Sequence, residues 1–92
     1  MSCEALSWAL EQNIRPSSAK FLLVIMADSA YPDGYVCLPV KFLAKVSCQD
    51  ITEVNTNLRH LENHRAIIKR SEHEVARADD LIYSINLPEG GQ

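Results

Sequence analysis

The chain contains little glycine, few cysteines and little basic charge, and each of these shortages excludes certain classes of function. Only three of its 92 residues are glycine, and the sequence contains no glycine-rich phosphate-binding loop and no nucleophile elbow. Its longest apolar run, Phe21–Ala27, is far shorter than the ~20 residues of a membrane-spanning helix. We therefore expect no enzyme, no catalytic residues, no cofactor and no membrane partner.

Cysteine is also scarce, and it occurs as an odd number. The three cysteines are Cys3, Cys37 and Cys48. The N-terminal residues have no basic segment followed by an apolar one, as a secretory signal would. We therefore expect a cytoplasmic protein in which the cysteines are thiols rather than disulfides.

Basic charge is the third shortage. Nine Lys and Arg stand against twelve Asp and Glu, which gives a net charge of −3. This balance excludes a polybasic binder of nucleic acid but leaves room for a local basic surface. The apolar fraction of 47% is typical of a folded protein. We expect a single domain over residues 1–92, with an N-terminal helical element in 1–15 and a flexible tail in 88–92.

Apolar periodicity predicts two helices in the first third of the chain. The first spans Cys3 to Gln12. The second runs from Ser18 to about Ala30, with Pro16 at its entry and Ser17 or Ser18 as the cap. Its apolar residues occupy most of its circumference, which is typical of a helix in the middle of a core.

Two further helices are predicted in the middle of the chain. One starts at Pro39 and ends near Ser47–Cys48. The next starts at Asp50, where Asp50 and Glu53 have the spacing of a capping box, and reaches about Asn63. Its apolar residues recur at helical spacing: Ile51, Val54, Leu58 and Leu61.

Three segments have the pattern of β-strands. Tyr35–Leu38 is a short β-prone run, and residues 66–70 and 81–87 flank a polar segment from Ser71 to Asp80. In the last run every second residue lies on the same face of the predicted strand: Leu81, Tyr83, Ile85 and Leu87. Two short helices joined by a tight turn and followed by a hairpin predict an α+β, mainly helical fold, the winged helix-turn-helix.

One stretch also resembles a known family. The segment Leu43–Val54, continued to Leu58, Leu61 and Ile67, resembles the helix-turn-helix of phage and plasmid replication-initiation proteins and small phage DNA-binding regulators. In that family a Leu-Ala helix leads through a turn into a second helix and then a wing. Upstream segments add to the likeness: Trp8–Leu10, Pro16–Phe21, Met26–Asp28 and Asp33–Gly34.

The resemblance implies binding of double-stranded DNA, with helix 50–63 in the major groove. Its outward residues would contact bases, where Asn suits adenine and Arg suits guanine. These residues are Thr52, Glu53, Asn55, Thr56 and Arg59. A second set would contact phosphates: Lys41, Lys45, Ser47, Lys69, Arg70 and Arg77.

The chain departs from the family pattern in two ways. Cys48 and Arg65 stand where the family usually has glycine, which implies backbone strain if either φ is positive. Residues 50–65 contain two basic and three acidic residues, and residues 69–80 contain three basic and four acidic, so each stretch nets −1. Phosphate contacts need basic charge, so this deficit favours weak DNA binding.

Two functions are therefore compatible with the sequence. The first is a phage-type transcriptional regulator or replication-associated factor that binds DNA. The alternative is a protein-interaction module, such as a phage-encoded inhibitor of a host nucleic-acid-binding complex. In that alternative an acidic wing would contact the host protein through Glu72, Glu74, Asp79 and Asp80.

Two smaller features of the sequence are open to more than one interpretation. The apolar residues Leu6, Trp8 and Leu10 would form either a homodimer face or a contact with the chain's own core. His60 and His64 have metal-ligand spacing, but Cys37 and Cys48 are too far apart for a common zinc motif. We therefore expect no metal site.

Overall fold

The structure is a computed structural model that describes residues 3–70 and 80–86, with side chains for 4–70 and 82–86. Within these ranges the chain forms four α-helices and a three-stranded antiparallel sheet. In chain order the elements are α1 (Cys3–Glu11), α2 (Ser17–Ser29), β1 (Tyr35–Pro39), α3 (Val40–Ser47), α4 (Ile51–Asn63), β2 (Ile67–Lys69) and β3 (Asp80–Ile85). The predicted α+β, mainly helical class is confirmed. None of these helices is long and apolar enough to cross a membrane.

The helix α2 lies at the centre of the core and packs against α1, α3, α4 and β1. One side of it is fully buried: Ala19, Leu22, Leu23, Met26 and Ala27. The predicted serine cap is wrong. Pro16 occupies the N-cap position, no side chain caps the helix, and Ser17 already belongs to its first turn. The carbonyl of Pro16 accepts hydrogen bonds from the N–H groups of Ala19 and Lys20.

Two local features define the short connection between α3 and α4: a left-handed residue that ends α3 and a capping box that starts α4. Cys48 ends α3 in the left-handed conformation with φ 59°, and its N–H donates to carbonyls of the last turn. Asp50 then starts α4 with the predicted capping box, which is confirmed. The N–H of Glu53 donates to Asp50 Oδ1 at 2.8 Å, and the N–H of Asp50 donates to Glu53 Oε1 at 2.9 Å.

The apolar side of α4 packs against α2, α3 and β2. Val54, Leu58 and Leu61 are buried at the predicted helical spacing. The helix ends before Arg65, whose φ is 60°. Both positions where glycine was expected, Cys48 and Arg65, therefore adopt the left-handed conformation that favours glycine.

The sheet has the strand order β1-β3-β2 with both pairs antiparallel. The predicted pairing of the last two strands is confirmed, with Ile67 opposite Ile85. The sequence did not indicate that β1 also pairs with β3, with Cys37 opposite Ile82. Asp80 belongs to β3 rather than to the preceding polar segment. Residues 71–79, Leu87 and the predicted tail in 88–92 lie outside the described residues.

Candidate nucleic-acid interface

The outer face of α4 consists of polar side chains turned away from the core. Thr52, Asn55, Thr56 and Arg59 are all exposed, and at 100° per residue they fall within about 100° of one another. In the part of the chain that the structure describes, none of these four side chains makes an intramolecular hydrogen bond. The structure thus brings four of the five predicted base-contacting residues together on one accessible face.

Glu53, the fifth, is exposed but points to the flank of the helix. Its carboxylate accepts the hydrogen bond from the Asp50 N–H in the capping box. This bond fixes the first turn of α4. Glu53 therefore has a structural role in the capping box, which the spacing of Asp50 and Glu53 predicted. The sequence analysis also assigned it a contact with bases.

Each acidic residue of this stretch has a hydrogen-bond partner within the protein, although Asp50 and Glu53 are exposed. Asp50 and Glu53 cap the helix, and Glu62 is half-buried and accepts a hydrogen bond from the Tyr83 phenol at 3.3 Å. Burial of that phenol has the largest effect on it, and with the charge and hydrogen bond of Glu62 it raises the pKa of Tyr83 to about 12. Among the four outward residues the only charge is that of Arg59, which is positive. These four residues therefore net +1, while the exposed carboxylates of Asp50 and Glu53 lie at the start of the same helix.

Three of the predicted phosphate contacts lie on α3, and they differ in exposure. Lys41 and Lys45 are exposed at neighbouring positions of the helix. Ser47 is only 7% exposed, and its hydroxyl donates to the Leu43 carbonyl at 2.6 Å. This local hydrogen bond within the helix occupies the hydroxyl proton and leaves the side chain little exposure. A contact between Ser47 and a phosphate stays a prediction, and the structure does not place Ser47 on the exposed surface with Lys41 and Lys45.

The remaining predicted phosphate contacts lie at the end of β2 and beyond it. Lys69 is exposed. Arg70 is half-buried, and its Nε donates to Ser84 Oγ at 2.8 Å, which anchors the guanidinium on β3. Arg77 lies outside the described residues, as do Glu72, Glu74 and Asp79 and the side chain of Asp80.

Asn57 is a structural residue that the sequence reasoning missed. It is 5% exposed, and its Nδ2 donates to Gln49 Oε1 at 2.7 Å. Gln49 in turn donates through Nε2 to the Ser18 carbonyl at 3.2 Å. This chain of bonds ties the turn between α3 and α4 to the start of α2. The signal was present, because Asn57 is a polar residue at an apolar-face position next to Leu58.

An open groove lies between the start of α2 and α4. Its volume is about 270 Å³. Two of the outward residues, Thr52 and Thr56, form part of its wall together with Pro16, Ser18, Glu53, Asn57 and His60. The accessible surface of α4 is therefore continuous with a concave surface on the first turn of α2.

The predicted dimer residues do not form one face. Trp8 is half-buried and packs against the hydrophobic core, whereas Leu10 is 56% exposed. Leu6 is half-buried, and at 100° per residue both leucines lie about 160° from Trp8 around α1. The structure separates Trp8, which belongs to the core, from Leu10, which belongs to the surface.

The metal ligands considered from the sequence are not assembled into a site. His60 is half-buried and His64 is exposed at the end of α4. Within the described ranges, no group of three or more His, Cys, Asp or Glu side chains is placed to hold a metal ion. The polar groups of α4 thus have no metal partner among the described side chains.

No family model, curated protein or solved structure matches the chain. The likeness to phage and plasmid helix-turn-helix proteins therefore stays a prediction from the residues.

Proposed function

We propose that the chain is a winged helix-turn-helix protein that binds double-stranded DNA and reads its sequence with α4. It would act as a small phage-type transcriptional regulator or replication-associated factor. In this proposal α3 and α4 form the helix-turn-helix and the β2–β3 pair forms the wing. The observation that supports it best is the outer face of α4, where Thr52, Asn55, Thr56 and Arg59 are exposed and have no intramolecular hydrogen bond among the described residues.

The chemistry of this face suits base edges. Asn55 has the donor and acceptor pair that matches adenine, and Arg59 has the fork that matches guanine. Thr52 and Thr56 offer hydroxyl groups for hydrogen bonds and methyl groups for contact with thymine. The 13 residues of α4 give a helix about 20 Å long, and the helix diameter of about 10–12 Å fits the ~12 Å width of a major groove.

Phosphate contacts in this proposal come from few cations. Lys41 and Lys45 on α3 and Lys69 at the end of β2 are exposed. Arg70 donates to Ser84 through Nε alone, so the terminal nitrogens of its guanidinium are not used in that bond. Four phosphate contacts per chain would give a slope of about −3 to −4 in a plot of log K against log salt. We therefore expect binding of moderate strength that weakens steeply as salt rises.

Selection from random duplex DNA followed by fluorescence anisotropy on the selected site tests this proposal. We expect Arg59→Ala to weaken the selected site by about 5- to 150-fold, the equivalent of 1–3 kcal/mol, and to relax preference at one base pair. Lys41→Ala should weaken all sequences alike and reduce the salt slope by about 1. Lys20→Ala is the matched control, because the Lys20 ammonium donates to the Leu10 carbonyl on α1.

Two results would contradict the proposal. One is an absence of binding to any duplex at low salt. The other is an equal loss for Arg59→Ala and Lys20→Ala, because Arg59 would then contribute nothing beyond its charge.

A protein-interaction module remains the second candidate, and one observation on α3 favours it. Phe42 and Val46 are 42% and 41% exposed, and their spacing of four places them on one side of the helix. Adjacent exposed apolar residues contribute to protein contacts where they belong to a contiguous apolar patch. The acidic wing considered for this role lies outside the described side chains, so the candidate now depends on α3.

Affinity capture from a host lysate compares the two candidates. The bait is the natural chain, and the matched bait contains Phe42→Ser and Val46→Ser. If the chain is an interaction module, the double variant should lose a specific host protein and should bind DNA no more weakly than the natural chain. Retention of that host protein by the double variant would exclude this surface.

A further inference from the structure

The last residue of α4, Asn63, lies on the same outward face as the proposed base contacts. Asn63 is exposed, and within the described residues its side chain makes no intramolecular hydrogen bond. The opposite side of the helix is buried and consists of Val54, Asn57, Leu58 and Leu61. At 100° per residue Asn63 lies about 10° from the direction opposite to the centre of that side, whereas Arg59 lies about 30° and Asn55 about 70° from it. Asn63 is therefore turned away from the core more directly than either of them.

Asn55, Arg59 and Asn63 form one row along α4, which we call the outer row. They are spaced four residues apart, so neighbours in the row lie on adjacent turns, about 6 Å apart along the helix axis. All three side chains are exposed. The groove between α2 and α4 does not include them, because its wall on α4 consists of other residues: Thr52, Glu53, Thr56, Asn57 and His60. The outer row is thus accessible over its whole length.

Helix termination does not explain the asparagine at this position. Asparagine is common as the left-handed residue that follows a helix. In this chain the left-handed residue is Arg65, with φ 60°, and the C-cap is His64. Asn63 itself is helical. Its amide therefore has no part in ending α4 and is available for an external partner.

The outer row has an order of chemical groups that matches an order of bases. An asparagine amide pairs with N6 and N7 of adenine, and an arginine guanidinium pairs with O6 and N7 of guanine. A rise of about 6 Å between neighbours in the row corresponds to one or two base-pair steps, since successive base pairs are about 3.4 Å apart. The order amide, guanidinium, amide therefore fits adenine, guanine and adenine along a major groove.

We propose that Asn63 is a further specificity-determining residue of α4 and that the outer row reads A·T, G·C and A·T base pairs, in that order, within about five base pairs. Asn55 and Asn63 contact the two adenines, and Arg59 contacts the guanine between them. This inference rests on the proposed DNA binding and deepens it, because it names the bases and their order. It also extends the reading surface to the last turn of α4.

Selection from random duplex DNA, carried out in parallel with the natural chain, Asn55→Ala and Asn63→Ala, tests this order. We expect the natural chain to select the three specified pairs. Each variant should lose its preference at one A·T position only, and the two positions should lie on opposite sides of the G·C pair. Replacing the pair assigned to Asn63 by G·C should weaken the natural chain by about fivefold or more, but Asn63→Ala by less than about twofold.

His64→Ala is the matched control for this experiment. His64 is also exposed, but it lies about 100° further around the helix than Asn63. The control should bind the natural and the exchanged site as the natural chain does. Circular dichroism of each variant confirms that it is folded.

The possible failures are distinguishable. If Asn63→Ala weakens the natural site and the exchanged site by the same factor, or weakens neither, Asn63 reads no base and this inference is overturned. Base preference that still depends on Arg59 would then leave the proposed DNA binding intact. An absence of binding to any duplex at low salt would overturn both.

Discussion

The side-chain amide of Asn57 donates a 2.7 Å hydrogen bond to Gln49, so a buried residue in the middle of α4 holds the turn that precedes the helix. The Nε2 group of Gln49 in turn donates a hydrogen bond to the carbonyl of Ser18 at the start of α2. The angle between α4 and the core is therefore set by side chains as well as by the turn. Two asparagines on one helix thus have different roles, since Asn55 is exposed and Asn57 is buried.

We expect Asn57→Ala to lower the free energy of unfolding by about 1–3 kcal/mol, because it leaves the side-chain oxygen of Gln49 without its donor. Urea denaturation followed by the fluorescence of the half-buried Trp8 measures this change. Asn55→Ala is the matched control and should change stability by less than about 0.5 kcal/mol. It should weaken DNA binding instead. Equal destabilisation by the two variants would contradict the assigned roles.

The capping box predicts a second, smaller effect. Asp50→Ala removes the acceptor for the Glu53 N–H and should lower the free energy of unfolding by about 1 kcal/mol. Thr52→Ala, a change at an exposed position two residues away, is the control. Thermal denaturation by circular dichroism distinguishes them. A Thr52 variant as unstable as the Asp50 variant would show that the box contributes nothing specific.

The two left-handed residues predict a gain in stability. Cys48 and Arg65 have φ near 60°, where a side chain costs roughly 1–2 kcal/mol and glycine pays no such strain. Glycine loses more backbone entropy on folding, by about 0.5–1 kcal/mol, so Cys48→Gly and Arg65→Gly should each gain up to about 1 kcal/mol. Lys45→Gly, in the last turn of α3, should instead destabilise the protein. A loss of stability in both left-handed positions would refute the explanation by strain.

Alkaline pH should destabilise the protein through Tyr83. Its pKa is raised from 10.0 to about 12 in the folded protein, so the unfolded chain releases the proton first. The contribution of this group to stability is therefore fully present below pH 10 and is lost as pH rises through about 12. Denaturation curves from pH 9 to 12 should fall less for Tyr83→Phe than for the natural chain. Tyr31→Phe, which removes the hydroxyl of a 58% exposed tyrosine, should follow the natural chain.

Local features of the fold were predictable from the sequence, and long-range ones were not. The spacing of Val54, Leu58 and Leu61 and the pair Asp50–Glu53 gave α4 and its cap, because these signals lie within a few residues of each other. The pairing of β1 with β3 joins residues such as Cys37 and Ile82, which are distant in the sequence. A pattern of single residues contains no information about such a pair.

The candidate site shows the same limit. Exposure of Thr52, Asn55, Thr56 and Arg59 followed from their positions on the helix. The burial of Ser47 did not, because a hydroxyl that bonds to its own helix looks like a surface residue in the sequence. Net charge also contains no information about position: the sequence counts Glu62 like any other acid, but the structure places its carboxylate against the Tyr83 phenol rather than on the outward face of α4.

The separation between the two sides of α4 has an evolutionary consequence. Val54, Asn57, Leu58 and Leu61 hold the helix in place. The outward residues have no intramolecular hydrogen bonds among the described side chains, and substitutions at such positions usually change stability by less than about 0.5 kcal/mol. Substitutions at the outward positions of α4 can therefore accumulate one at a time without unfolding the chain. A lineage of such proteins could drift from one recognition sequence to another while its scaffold stays unchanged.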